Sequence, residues 1–339
     1  MTPCEYVQKL GQGWNLGDTL DARARIENPT PSQQETAWHN PVTTEAMIKK
    51  VKSAGFEVLR IPTTWCWHLE ADHTIKKPWL ARVNEIVDYG INNGMTVILN
   101  MHHENWHFPS DENYPAASSI LKKVWTQIAT HFADYGDNLI LESMNEPRKT
   151  GTDVEWIGGD AEGRRVVMKL NQDFVDTVRA TGGNNATRML LVPNYAASCE
   201  EIAMSDFEMP KGENIIMSLH GYIPYDFALG NDYSINTWKE DYERDIDNLF
   251  ARIHKYFLSK NIPVIMGECG ARNKHNNETE REKWAKYYTS KAREHGVPCI
   301  WWDNGRLEGD EKTEIFGLLN RRTLEWAFPA IVQAFVNRG

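Results

Sequence analysis

Short apolar runs recur along the chain, and most of them stop where polar residues begin. Residues 139–147, Leu-Ile-Leu-Glu-Ser-Met-Asn-Glu-Pro, form the most informative run. It is too short for a helix, follows the turn Tyr135-Gly136-Asp137-Asn138, and closes on Pro147, which has no N–H to continue a central ladder. The pattern predicts a buried strand that ends at Asn145 and delivers Glu146. Residues 262–270 repeat the arrangement, with Glu268 set among Gly267, Cys269 and Gly270 after an apolar run. Glycines there let a ligand or backbone come close, and a strand behind each carboxyl holds it on a rigid element.

The same reading predicts strands at 13–17, 56–61, 96–101, 188–193, 214–219 and 297–302. Helices are predicted at 43–53, 81–92, 120–132, 166–179, 238–257, 279–294 and 325–336. A threonine caps the first of these and Gly55 stops it. Strands apolar on both faces and separated by helical crossovers imply a parallel sheet, and eight of them suggest closure. The expected fold is α/β, a (β/α)8 TIM barrel forming a single catalytic domain over residues 1–339. An open doubly wound sheet is the main competitor, but no Gly-x-Gly-x-x-Gly follows the first strand, so nucleotide binding has little support.

The chain has 339 residues, enough for one large barrel, and its net charge of −10 argues against a nucleic-acid or anionic-membrane partner. A neutral substrate fits better. Thirteen Trp and twelve Tyr include several in polar loops, at 63–68 and 103–107. Most tryptophans in a protein this size pack in the core, but Trp beside His, Asn and Glu suits sugars, which offer C–H groups on a face and hydroxyls at the edge. The five cysteines have no Cys-x-x-Cys spacing, so free thiols are expected rather than a zinc site or a disulfide framework. No stretch approaches transmembrane length, and residues 1–5 lack a signal-peptide pattern. Sequons stand at Asn185 and Asn277.

Barrel sites lie at the C-terminal ends of the strands. Polar residues collect there: Arg60 after strand two, His102 and His103 after three, Asn145 and Glu146 after four, His220 and Tyr222 after six, Glu268 after seven, and Trp302 on eight. Read alone, Asn-Glu-Pro is more often a turn than a site. Six strands with such ends point to a site.

These residues resemble glycoside hydrolase family 5 over almost the whole chain. The motifs are Leu59-Arg60-Ile61-Pro62, His102-His103, Asn145-Glu146-Pro147, His220-x-Tyr222 and Gly267-Glu268. The opening Trp14-Asn15-Leu16-Gly17 and the closing Trp301-Trp302-Asp303-Asn304-Gly305 look most like its subfamily 4 of bacterial and rumen-type endoglucanases. One departure is Cys269, where an aromatic residue often follows the nucleophile in the family.

The resemblance implies a secreted endo-β-1,4-glucanase, monomeric, without metal or cofactor, whose partner is a β-glucan. Its signal peptide, and any cellulose-binding or dockerin module, would lie outside this stretch. Glu146 is then the acid/base and Glu268 the nucleophile of a retaining double displacement. Asn15, Arg60, His102, His103, Asn145, His220, Tyr222 and Trp302 are the expected substrate-binding set. Trp302 would be the sugar platform and Trp301 a core residue. Adjacent residues on a strand face opposite ways, so one of His102 and His103 should turn from the pocket. The family also implies a cis peptide between Trp302 and Asp303. Glu104, Glu142, Asp18 and Asp303 read as hydrogen-bonding or solvated carboxyls. Xyloglucan, mixed-linkage glucan, xylan and mannan remain alternative substrates, shaped by loops at 22–40, 107–119 and 149–165. A metal-dependent hydrolase using His102, His103, Glu104 and His107 lacks a His-x-His and a bridging carboxylate. A sugar-binding module without catalysis fits poorly, since both glutamates are present.

Overall fold

The computed structural model describes residues 1–337. Eight parallel strands follow one another around a closed barrel in chain order. They are β1 (Gly13–Leu16), β2 (Val58–Ile61), β3 (Thr96–Asn100), β4 (Leu139–Glu142), β5 (Leu190–Pro193), β6 (Ile215–His220), β7 (Val264–Cys269) and β8 (Cys299–Asp303). The ring closes where β1 pairs with β8, Asn15 lying opposite Trp302 and Leu16 opposite Asp303.

Long helices α3 (Glu45–Ser53), α4 (Lys77–Asn92), α5 (Tyr114–His131), α6 (Ala161–Ala180), α9 (Asp241–Tyr256), α10 (Glu278–Glu294) and α11 (Pro329–Val336) follow strands on the outside. Shorter ones are α1 (Pro3–Lys9), α2 (Pro31–Glu35), α7 (Glu201–Ser205) and α8 (Tyr225–Ala228). Their apolar stripes and the outward faces of the strands make the main core, which includes Trp79, Trp125, Trp284 and Trp301.

The inward faces follow the two-residue period of a strand. Near the N-terminal end, Val58, Ile98, Ile140, Leu191, Ile216, Ile265 and Ile300 fill the barrel, and Val7 of α1 plugs it from below. Two residues further along, the same faces present Arg60, Asn100, Glu142 and Ser218, all fully buried. Another step brings His102 and His220 to the mouth, where Trp302, two residues past Ile300, joins them. The apolar layer is thus the floor, and the polar layer is the base of a site.

The structure corrects several boundaries. β4 stops at Glu142, three residues before the expected end at Asn145, because its ladder to β5 runs only through Leu141 and Glu142. α5 and α6 begin at Tyr114 and Asp160-capped Ala161, so the expected loops at 107–119 and 149–165 are shorter than the sequence suggested. Glu325 and Trp326 form β10 (Glu325–Trp326) against β9 (Leu319–Asn320), and the last helix starts only at Pro329. α1 was not expected, although Thr2 and Glu5 spell a capping box that the structure contains. The Asn185 sequon is fully buried, its amide donating to the Ala129 carbonyl and the Thr181 hydroxyl, so a glycan there would displace both bonds.

Gly90 shows how closely helix and strand approach. A Cβ there would sit 2.5 Å from Val97 Cγ2 and 3.1 Å from Leu59 Cδ2. Alanine would gain up to about 1 kcal/mol of helix propensity, but overpacking a stiff β-branched neighbour costs about 1–3 kcal/mol. Gly90→Ala is therefore expected to lower the urea midpoint of unfolding; a raised midpoint would contradict this packing account.

Candidate active site

The polar layer converges on Arg60, whose guanidinium is fully buried. Its Nε donates to Glu142 Oε2 at 2.7 Å, and Nη1 donates to Glu268 Oε1 at 2.8 Å and Asn15 Oδ1 at 3.0 Å. Nη2 donates to Asn145 Oδ1 at 2.7 Å. Three strands, β1, β4 and β7, and the turn past β4 are thereby tied to one side chain. Glu142 is completed by the Ser218 hydroxyl at 2.8 Å, and Asn15 by the Gly267 carbonyl at 3.0 Å.

Parity alone would aim Gly267, not Glu268, along the inward face of β7. The register slips there: Leu219 pairs with Met266, but His220 pairs with Glu268. One residue is left over, as in a β-bulge, and the carboxyl is turned into the mouth. Gly267 suits the slip, since a Cβ would stand 2.9 Å from Ser218 Oγ. Glu268 Oε2 then accepts from the Tyr222 hydroxyl at 2.9 Å.

Glu146 lies four residues past β4, at the corner made by Pro147. His220 Nδ1 is 2.8 Å from its Oε1. One oxygen of Glu146, one of Glu268 and a His220 nitrogen all lie within 4.8 Å of one another. The cavity over them measures about 730 Å³ and is lined by Asn145, His102, His103 and Trp302 as well.

The sequence-predicted residues therefore fall into two groups. Glu146, Glu268, Asn145, His102, His103, His220, Tyr222 and Trp302 line the cavity. Arg60 and Asn15 lie behind its wall, where each is fully buried by the contacts described. Both His102 and His103 face the cavity, contrary to strand alternation, because β3 ends at Asn100 and the two residues belong to the turn beyond it. Trp302 stacks on His102, rings 5.7 Å apart and 4° from parallel, while Trp301 is buried and donates to the Phe316 carbonyl. The Trp302–Asp303 peptide is not cis; among the described residues the cis bond is Ile223–Pro224. Trp302 and Asp303 both stay in the ladder opposite Asn15 and Leu16, which extended trans backbone satisfies. Cys269 faces away, its thiol beside the Ile300 carbonyl in the core, so it leaves the cavity floor untouched.

Sequence reasoning missed Trp38, Trp156 and Phe316, which also line the cavity. They come from loops, where no periodicity marks a facing. It also missed Arg148, which packs over Trp156. The structural part of Glu142 was legible, because it stands two residues after the inward Ile140.

Burial raises the Glu268 carboxyl against the pull of His220 and Arg60. At Glu146 burial is outweighed by the hydrogen bond and charge of His220 and by Arg148, and the carboxyl is lowered. On field alone, a shared proton would lean toward Glu268. The donors lean the other way. The Arg60 guanidinium can only donate, and burial together with Glu268 pushes Tyr222 well above its ordinary range, so its hydroxyl keeps its proton. Both hold Glu268 as carboxylate. His220 Nδ1 can donate or accept, so it tolerates either form of Glu146.

Among the described residues, two groups bring together side chains of metal-ligating type: Glu146, His220 and Glu268, and Asp21, His102 and His103. In the first, both Glu268 oxygens already accept from Arg60 and Tyr222, and the Arg148 cation faces Glu146, which opposes a metal ion. In the second, Asp21 accepts from the backbone N–H of Asp18 and Thr19.

Two carboxyls at this spacing, one with donor-only partners and one beside a histidine, suit acid–base and nucleophilic work on a glycosidic bond. The cellulase profile of glycosyl hydrolase family 5 matches residues 24–308. The chain belongs to glycosyl hydrolase family 5. Endoglucanase A of Clostridium longisporum is 46% identical over 337 residues, covering 98% of this chain and 65% of that protein. The chain thus spans just under two thirds of that relative. A family 5, subfamily 4 broad-specificity endoglucanase from Ruminococcus champanellensis with bound cellotriose has a TM-score of 0.96 and 42% identity, over 99% of both chains. A family 5 lichenase from Caldicellulosiruptor sp. F32 has a TM-score of 0.94 and 41% identity, over 99% of this chain and 95% of that one. As a family 5 member the chain is a glycoside hydrolase.

Arg60→Lys tests the hub of this site. One ammonium cannot span four partners that a planar fork reaches. The variant is expected to keep its circular dichroism spectrum and lose about a hundredfold or more in kcat/KM, the cost of a misplaced catalytic group. Near-wild-type turnover would contradict the assigned role.

Proposed function

We propose that the chain is a retaining endo-β-1,4-glucanase with Glu146 as acid/base and Glu268 as nucleophile. The observation that carries this is the pair itself: carboxylate oxygens within 4.8 Å of one another, beside the roughly 5–5.5 Å between carboxyl groups that a covalent route uses. Glu146 gives its proton to the glycosidic oxygen as Glu268 attacks the anomeric carbon, and the leaving chain departs with that proton. A water then enters, Glu146 takes its proton, and attack on the ester frees Glu268 with the original configuration restored.

Arg60 and Asn15 act through Glu268 and Asn145 rather than on the sugar. Arg60 engages the Asn145 carbonyl, so the amide NH2 is the end available to the 2-hydroxyl, a contact that strengthens toward the transition state. Trp302, held flat by His102, offers a face to the sugar at the cleaved bond, and His103 offers a hydroxyl partner. Trp38 and Trp156 lengthen the aromatic path along the cavity, which favours a polymer over a single sugar.

A neutral β-glucan agrees with the net charge of −10 and with the cellotriose bound by the Ruminococcus relative. β-1,4-Glucan is the first choice, with mixed-linkage glucan and xyloglucan beside it; xylan and mannan are the alternatives. The reading treats the chain as one catalytic domain that works as a monomer, since each barrel carries a whole site. It also places the enzyme outside the cell, where a polymer can reach it. No helix among the described residues is long and apolar enough to cross a membrane. The length by which the Clostridium relative exceeds this chain is room for accessory modules such as a cellulose-binding domain or a dockerin.

Reducing ends released from carboxymethyl-cellulose, mixed-linkage β-glucan, xyloglucan, xylan and mannan test the substrate. The β-glucans should be cut fastest; faster cutting of mannan or xylan would overturn the substrate while keeping the mechanism. For roles, Glu146→Ala should be nearly silent on polymer but regain activity on an activated aryl cellobioside when azide is added, yielding the β-glycosyl azide. Rescue that yields the α-azide would make Glu146 the nucleophile and overturn its assignment as acid/base.

A further inference from the structure

Arg148 follows the Glu146-Pro147 corner and is held on three sides. Its Nη1 donates to the Glu146 carbonyl at 3.0 Å, and its Nε donates to Glu155 Oε1 at 3.0 Å. Its guanidinium lies 4.1 Å over the Trp156 ring. Glu155 is fixed in turn, because its Oε2 accepts from the Gly151 N–H at 2.7 Å. Held this way, Nη1 stops 3.5 Å from Glu146 Oε2, at the outer limit of a hydrogen bond. Arg148, Glu155 and Trp156 all belong to the loop between β4 and α6, and none of these contacts ties the barrel together. A cation fixed beside a carboxyl by contacts confined to one loop calls for a functional account.

We propose that Arg148 is a positioning residue for Glu146, held by Glu155 and Trp156 so that its charge favours the carboxylate Glu146 becomes on giving up its proton. The inference rests on Glu146 being the acid/base. Other groups face Glu146 too: His220 from β6, Tyr222 beyond it, Glu268 from β7, His103 beyond β3, and the carboxylate of Glu155 from the same loop as Arg148. His107 faces Arg148 from the same turn as His103. Arg148 alone brings a permanent positive charge directly to Glu146. Arg60, the other fixed cation of the site, reaches Glu142 and Glu268 instead.

The effect on the two halves of the reaction is opposite. When Glu146 gives its proton to the leaving sugar, Arg148 steadies the new carboxylate and eases that step. When Glu146 must take a proton from water, the same charge makes it a weaker base. Trp156 is 56% exposed and lines the cavity, so its hold on Arg148 sits where the leaving side of a chain can cover it. A sugar there would keep water from the pair and strengthen the field on Glu146.

The test is the pH dependence of kcat/KM in the full chain, measured on an aryl β-cellobioside. Glu146 must be protonated for the first step, so its ionisation sets the alkaline limb, and removing a nearby cation raises that limb. Arg148→Met, which keeps length but not charge, should move the alkaline limb up by about one pH unit and leave the acidic limb in place. Arg148→Lys should give a smaller shift, and Trp156→Ala, which only loosens the guanidinium, should fall between wild type and Arg148→Met. Uniform loss at every pH with unmoved limbs would show a merely structural role and overturn the proposal. Glu146→Ala separates the two readings. If the alkaline limb survives in that variant, the acid/base assignment fails. If the limb is lost there but unmoved in Arg148→Met, only the proposal fails.

Discussion

A guanidinium buried at the centre of a barrel must have its charge balanced and its N–H groups satisfied, and at Arg60 both needs are met by the site itself. Leaving such a charge without a partner costs about 3–5 kcal/mol, so Glu142, Glu268, Asn15 and Asn145 are held as firmly as the fold is. Two positive charges stand among four carboxyls: Arg60 touches Glu142 and Glu268, and Arg148 pairs with Glu155 and faces Glu146. Were all four ionised, two net negative charges would remain in and beside a space with little water. The arrangement therefore favours keeping one proton, and Glu146 is the carboxyl whose partner, His220, accepts either form. A general acid follows from the charge count before any substrate arrives.

The backbone supplies the rest of the geometry. Two-residue alternation stacks an apolar layer and a polar layer on the inward faces of β2, β3, β4 and β6, and His220 carries β6 on into a third, catalytic layer. Glu268 would miss that third layer without the register slip at Gly267. Glu146 reaches it from a corner rather than a strand, which leaves room beside it for Arg148. One glutamate is thus set by the ladder and the other by a turn, so on the proposed roles loops can adjust the acid while the nucleophile stays fixed.

Much of this was legible in the sequence. Apolar runs ending in polar residues located all eight strands, and the strand ends named every catalytic candidate that lines the cavity. The losses have physical causes. β4 was carried on to Asn145, with Glu146 just past it, because the apolar run gives no sign of where pairing to β5 ceases. Trp326 was drawn into the final helix because a two-residue strand has no period to detect. Asn15 and Arg60 were read as substrate contacts because residue type does not distinguish a side chain at the wall from one behind it; their complete burial does. Trp38 and Trp156 could not be placed, since loop conformation is set by tertiary contacts such as the Arg148 stack.

The central claim is that the carboxyl held by Arg60 and Tyr222 is the one that bonds to the sugar. A 2-deoxy-2-fluoro-β-cellobioside with an activated leaving group slows release of the glycosyl-enzyme, and peptide mapping by mass spectrometry then locates the label. The account predicts a single adduct on Glu268. An adduct on Glu146 or on another carboxyl would contradict it.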